Sequence, residues 1–338
     1  MKVRRIAVIG GGTGTAVVLN ALKPYPQLKI SAIVVVSDDG GSTGRLRDEF
    51  GFLPVGDVRQ CLAALADGKD QQIIRDILLY RFGEQSSLAN HNLGNLILTA
   101  LEDLAKKRGQ PPSQAIEMAS KVFRIKGQVY PVSEQSADLV IDYDQGQLIG
   151  EKNLDDPKLG GHKIQQISFQ KPVAIYQRAA TSIRQADLVI LGPGDLYGSL
   201  LANSLVTGFT QALKANQKAG GQFLYIVNLM THYSQTHQMT ATDHLQAVIK
   251  YCQRSPDFVL INSEKIAKKT LQHYQSQNEW PVLDDLNKTN KDPRWPASHI
   301  IREQLLANVL AQANSHHAHS LLRHDQAKLA QAILAMLY

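Results

Sequence analysis

An apolar strand that runs straight into glycines is the tightest constraint in this chain. Val3 to Ile9 is rich in β-branched residues, Gly10-Gly11-Gly12-Thr13-Gly14 follows at once, and Val17, Val18, Leu19 and Leu22 continue as a helical pattern. A strand entering a helix through glycines aims free backbone N–H groups, and the positive end of the helix dipole, at one point. Anion binding is the chemistry such a turn offers. A second glycine loop, Ser37 to Arg47, follows another apolar run at Ile30 to Val36. Both loops should therefore emerge side by side at the carboxyl edge of a parallel sheet, where open α/β sheets bind ligands.

The rest of the chain keeps that rhythm with one interruption. Helical periodicity covers Val58 to Ala66, Gln71 to Arg81 and Leu93 to Lys107, and begins again at Gln114 after Pro111-Pro112. Between Gly127 and Gln170 the runs become short and alternating, with Asp144-Gln145-Gly146 as a hairpin turn, which predicts a small antiparallel β insertion over 127–170. Strands are then expected at Asp187 to Leu191, Gln222 to Val227 and Phe258 to Ile261, with helices near Thr181, from Leu196 and from Asp243. Residues 284–300 are polar, contain Pro293 and Pro296 and read as a surface loop, and Asp325 is placed to cap a terminal helix. The pattern is an α/β fold with a mostly parallel sheet.

Composition narrows the function classes. With 338 residues, 43% hydrophobic and 20% charged, the chain can build a sizeable core. A net charge of +6 favours anionic ligands, but 6% aromatics and no long Lys/Arg run leave little for nucleic acid. Cys61 and Cys252 lie outside any disulfide or zinc spacing, so a reducing, cytoplasmic setting is expected. Glycines interrupt the amino-terminal apolar run too early for a signal peptide, and no membrane span is expected. His316, His317 and His319 read as a solvated segment rather than a metal site.

Spacing argues against the two commonest phosphate motifs. In the dinucleotide fingerprint G-x-G-x-x-G, the third glycine would fall on Thr15 or on Val17, and no Gly-Lys-Ser/Thr follows the first glycines to make a P-loop. An NAD-linked oxidoreductase stays open only because Asp38 or Asp39, ending the second strand, could bind a ribose. Asp38-Asp39-Gly40-Gly41-Ser42-Thr43-Gly44-Arg45 could hold a hydrated Mg²⁺ and phosphate oxygens together, or could be an acidic turn with Asp38 as a helix cap. Asp57 and Arg59 are a site acid and cation, or an N-cap and a surface charge.

Taken in order, GGGTG, SDDGGSTGRLRDEF, GDVRQCLAAL, HNLGNL, LGPGDLYGSLLANSL, NLMT with ATDH, and Arg323-His324-Asp325 resemble the bacterial gluconeogenesis-factor family, which is related to 2-phospho-L-lactate transferase. The resemblance implies a Rossmann-like three-layer α/β/α fold over 1–338 as a single domain. It also implies a cytoplasmic protein needed for growth on gluconeogenic carbon sources and for regulation of cell shape and cell-wall synthesis, and a ligand of the UDP-N-acetylglucosamine type. A cell-wall or regulatory protein partner and a homo-oligomer are further expectations. On the shared motifs, Gly11, Gly12, Thr13 and Gly14 would receive a diphosphate, and Asp38, Gly40, Gly41 and Ser42 would border it. Asp39 would orient a metal or ribose, with Asp57 as the second metal-side carboxylate. Arg45 and Arg59 would neutralise phosphate, and Asn95 would read a base or sugar, or else only start a helix. Gly192, Pro193, Gly194 and Asp195 would form a second anion site or a tight turn, and Asn228 of the NLMT block would border the ligand. Tyr274 would stack on uracil, or only pack, and Arg323 would reach the phosphates, or pair with an acidic neighbour. The related enzyme gives a second reading, a Mg²⁺-dependent transferase acting on a nucleotide-activated phosphoester.

Overall fold

Side chains alternate along the first strand, β1 (Arg4–Gly10): Ile6 and Val8 enter one core, Ala7 and Ile9 the other. A strand buried on both faces needs cover on both. A computed structural model describes residues 2–68, 71–287, 291–292, 294–307 and 322–338. After β1 come α1 (Gly12–Leu22), β2 (Leu28–Val34), α2 (Gly41–Phe50), α3 (Gly56–Leu65), α4 (Gln71–Leu79), α5 (Leu93–Lys107), α6 (Ser113–Val122) and β3 (Gln128–Pro131). A small sheet follows, made of β4 (Leu139–Tyr143), β5 (Gly146–Ile149) and β6 (Ile164–Phe169). The main fold resumes with α7 (Gln177–Gln185), β7 (Leu188–Leu191), α8 (Phe209–Lys218), β8 (Gln222–Ile226), α9 (Ala241–Cys252) and β9 (Phe258–Asn262). It ends with α10 (Lys268–Gln275), β10 (Lys291–Asp292), β11 (Trp295–Glu303) and α11 (Gln326–Leu337).

Among the described residues the main sheet has eight strands, in the order β10-β11-β9-β8-β7-β1-β2-β3. All neighbours are parallel except β10 on β11. One core joins the sheet to α1, α3 and α11 through Val18, Leu22, Leu62, Leu65, Leu329 and Ile333; the other joins it to α7, α8, α9 and the small sheet. This is the expected Rossmann-like three-layer arrangement. The chain steps outward from β1 to β2 and β3, then crosses to β7 on the other side of β1, so the topological switch point lies between β1 and β7.

Three sequence expectations need correction. The strand at Gln128–Pro131 does not belong to the insertion: it pairs parallel with β2, from Ser31 opposite Gln128 to Val34 opposite Pro131. Alternation identifies a strand but not its sheet, and the antiparallel unit is β5-β4-β6 alone. The segment 284–300 is not simply a loop, since it contains β10 and most of β11. Pairing of β11 with β9 begins at His299 opposite Phe258, so Pro296 lies ahead of it and removes no donor from that ladder. The expected helix from Leu196 is one π turn, Leu196–Leu200, continued by a 3₁₀ turn, Leu201–Leu205. Among the described residues no helix is long and apolar enough to cross a membrane. Cys61 and Cys252 are free, and burial raises both thiols well above their usual range. His316, His317 and His319 lie outside the described residues.

Candidate functional site

The loops after β1 and β7 meet at the switch point. Gly12, with φ +64°, opens α1 in a conformation that favours glycine. A Cβ on Gly14 would overlap the carbonyl oxygen of Pro193, so the two loops touch where any side chain would part them. Asn228, just beyond β8, pins the second loop: the Gly194 N–H donates to its Oδ1 at 3.3 Å, and its Nδ2 donates to the Gly194 carbonyl at 2.9 Å.

These loops border a cavity of about 190 Å³. Of the sequence-predicted residues, Gly11, Gly12, Thr13, Gly14, Pro193, Gly194, Asp195, Asn228, Tyr274 and Arg323 line it. Several others were not anticipated: Val17, Ser199, Leu229, Met230, Thr231, His232, Glu279, Leu322 and His324. Thr231 and Trp280 bring two remote segments into the same wall, the Thr231 N–H donating to the Trp280 carbonyl at 2.7 Å and the Trp280 N–H to Thr231 Oγ1 at 3.0 Å. No short-range pattern marks His232 or Glu279. His324 sits inside a block already noted, and only its burial distinguishes it.

Tyr274, on α10, is 2% exposed and packs with Leu306 and Leu322. Its hydroxyl accepts the Leu322 N–H at 2.9 Å. Its ring is therefore committed to packing and offers little face for stacking, and it holds the strand of chain that carries Arg323. That strand is clamped again by Ala307 N–H to the Arg323 carbonyl, 3.0 Å, and Asp325 N–H to the Leu305 carbonyl, 2.7 Å. Among the described residues the buried Nε of Arg323 has no hydrogen-bond partner, and neither has the Nε2 of His324. Burial alone lowers the His324 imidazole to about 4, which leaves it neutral at physiological pH.

The second glycine loop is placed differently. Asp38, Asp39, Gly40, Gly41, Ser42, Arg45, Asp57, Arg59 and Asn95 stand outside the lining of this cavity. Asp39 is turned away, with Oδ1 accepting the Lys152 N–H at 2.7 Å and Arg47 3.9 Å from Oδ2. Asp38 accepts the Gly40 N–H at 3.0 Å and does not cap α2, whose N-cap is Gly40. Neither carboxylate lines the cavity, as a ribose-binding acid would. Arg45 is exposed and, among the described residues, its guanidinium donates to the Ala89 carbonyl at 3.4 Å. Arg59 is buried, donating to Asn95 Oδ1 at 2.8 Å and to the Leu78 carbonyl at 3.2 Å. The Asn95 amide is used up between Arg59, Ser42 and Thr43. These groups brace one another.

Asp57 links the two regions. It lies on α3 beneath the first loop, where a Cβ on Gly11 would overlap its carboxyl. Desolvation, then Asp38 and Asp195, raise it to about 8. Glu151, from the insertion, is also raised, by desolvation and by Asp38, Asp195 and Asp57. The carboxylates that act on Asp57 are thus Asp38 and Asp195, and the expected Asp39–Asp57 metal pair does not fit the observed placement. Among the described residues no group of three or more His, Cys, Asp or Glu is arranged to hold a metal. A carboxyl raised to about 8 can instead present a proton beside the phosphate-binding turn.

A family model described as 2-phospho-L-lactate transferase CofD matches residues 6–306. The chain belongs to this family. Among the family's members, the Bacillus subtilis protein named gluconeogenesis factor is 34% identical, with 98% of each chain covered. One of the same name from Halalkalibacterium halodurans is 34% identical over 99% of this chain and 97% of that one. A crystal structure of a Bacillus halodurans protein, described as a member of the UPF0052 family, superposes with a TM-score of 0.86 at 34% identity. That match covers 99% of this chain and 100% of the other. The shared fold runs from the first strand to the last helix.

Proposed function

We propose that this chain is a gluconeogenesis factor that acts by binding a nucleoside-diphosphate sugar of the UDP-N-acetylglucosamine type. In this reading its ligand state regulates a cell-wall or cell-shape partner. One observation carries the reading: the turn at Gly11–Gly14, the Pro193–Asp195 loop and the Arg323 segment line one cavity at the switch point. The N-terminus of α1 supplies N–H donors and partial positive charge, and a guanidinium suits a diphosphate. The protonated Asp57 carboxyl beneath the turn does not repel such an anion. Calorimetry with UDP-N-acetylglucosamine should give a binding isotherm that Arg323→Ala weakens severely. Absence of heat at millimolar ligand would overturn the reading.

A second reading is favoured by a separate observation, the raised carboxyls of Asp57 and Glu151, since acids tuned toward neutrality suit proton transfer. On this view the chain is a transferase acting on a nucleotide-activated phosphoester with Mg²⁺ in solution. Mass spectrometry of mixtures with nucleoside-diphosphate donors would show a product; none with any donor would discard it.

A further inference from the structure

The first cavity is too small for the ligand just proposed. Sites for ligands of that size occupy roughly 300–1,000 Å³, whereas this one offers about 190 Å³. A second cavity, of about 720 Å³, shares Thr13, Val17, Arg323 and His324 with it. The shared wall is built from both ends of the chain. Thr13, Ala16, Val17 and Asn20 lie on one face of α1 at helical spacing, so the same helix that opens at the phosphate turn runs on as the floor of the second cavity.

The two cavities differ in chemistry. Leu229, Met230 and Leu322 give the first an apolar side suited to a planar base. The second carries Asn20, Gln60, Arg75 and Gln326 around small alanines. Arg75 donates to Asn20 Oδ1 at 2.8 Å, which fixes that pair in place. The side-chain amides of Gln60 and Gln326 make no hydrogen bond to another described residue, so they are open to hydroxyl or acetamido groups. His324, 5% exposed and with Nε2 lacking a partner, stands between the cavities. A buried ring nitrogen of this kind wants a partner, and a ligand crossing the wall would supply one.

We propose that the two cavities form one divided cleft, in which a nucleoside-diphosphate sugar lays its base in the first, its diphosphate across Thr13 and Arg323, and its glycosyl group in the second. This rests on the nucleotide-sugar reading and adds to it which residues recognise the sugar. Because the imidazole is neutral, His324 reads the ligand through a hydrogen bond rather than through charge.

Calorimetry with UDP and with UDP-N-acetylglucosamine, on the wild type, Gln60→Trp and Gln60→Ala, tests the assignment. Gln60 is half-buried and absent from the first cavity, so a tryptophan there should fill the second without entering the first. Gln60→Trp should weaken the nucleotide sugar about tenfold or more and leave UDP within about twofold, and Gln60→Ala should show a smaller loss of the same kind. Equal thermal midpoints confirm folding; if the tryptophan variant fails to fold, Gln60→Ala decides alone. Unchanged nucleotide-sugar affinity in the folded variants, or equal loss of UDP, would overturn the divided cleft while leaving nucleotide-sugar binding standing. Binding of neither ligand by the wild type would bring down both.

Discussion

At the scale of single residues, the glycines of the first loop serve packing as well as ligand approach. Gly11 leaves room for the Asp57 carboxyl and Gly14 for the Pro193 carbonyl. The second contact is backbone, which cannot rotate aside, so Gly14→Ala should destabilise the fold by about 1–3 kcal/mol in denaturant titrations, in addition to weakening ligand binding. A midpoint equal to that of the wild type would show that the loops can part freely. His324 gives a pH signature. Its folded value is lowered to about 4 from 6.5, so the unfolded chain binds a proton that the folded chain refuses. Its contribution is complete above about 6.5 and is lost as pH falls toward about 4. His324→Leu should remove that part of the acid-side slope in thermal denaturation.

At the scale of elements, α11 decides where the cleft ends. Asp325 accepts the N–H groups of Ala327 and Lys328 at 2.9 Å, and it immediately follows Arg323 and His324. Losing such a cap costs about 1 kcal/mol, so Asp325→Ala should lower stability by about that much and loosen the ligand as well. Stability lost with affinity intact would separate the helix from the site. The insertion has a comparable reach. Leu139, Ile141 and Ile167 anchor it in the core beside α7, α8 and α9, and it delivers Glu151 toward the acids at the sheet edge and the Lys152 N–H to Asp39. An antiparallel unit distant from the switch point in sequence thus sets the environment of the second glycine loop.

For the whole molecule, a set of desolvated acids sets the pH response. Asp57 is raised to about 8 and Glu102, whose Oε1 accepts the Leu53 N–H, to about 7; Asp38 and Glu151 are raised as well, all with desolvation as the first cause. In the unfolded chain these groups ionise near 3.8 to 4.5, so over the interval up to about 8 the folded state holds the extra protons. Stability should therefore fall as pH rises through that interval. Between about 6.5 and 8, where the His324 contribution is constant and adds no slope, the decline should stand alone in thermal scans. Asp57→Asn should flatten it, and an unchanged slope would mean that Asp57 ionises normally in the fold.

Much of this was legible along the chain because it is local. Strand, glycine turn and helix occur within Arg4–Leu22, α5 spans Leu93–Lys107 as its periodicity predicts, and Asp325 caps α11. Apolar period and turn chemistry act over a few residues, so they can be read without knowing neighbours. What the chain alone left open depends on distant partners. Gln128–Pro131 is a strand by its pattern, but only pairing with β2 places it in the main sheet. Asp38, Asp39, Arg59 and Asn95 have the residue types of a binding site, yet packing turns them toward Gly40, Lys152, Leu78 and one another. His232, Glu279 and His324 gain their place only when segments far apart in sequence close over the switch point. Hydrogen-bond satisfaction and burial decide which polar groups remain for a ligand, and both are properties of the assembled fold. Local sequence determined the phosphate turn; tertiary packing decided what surrounds it.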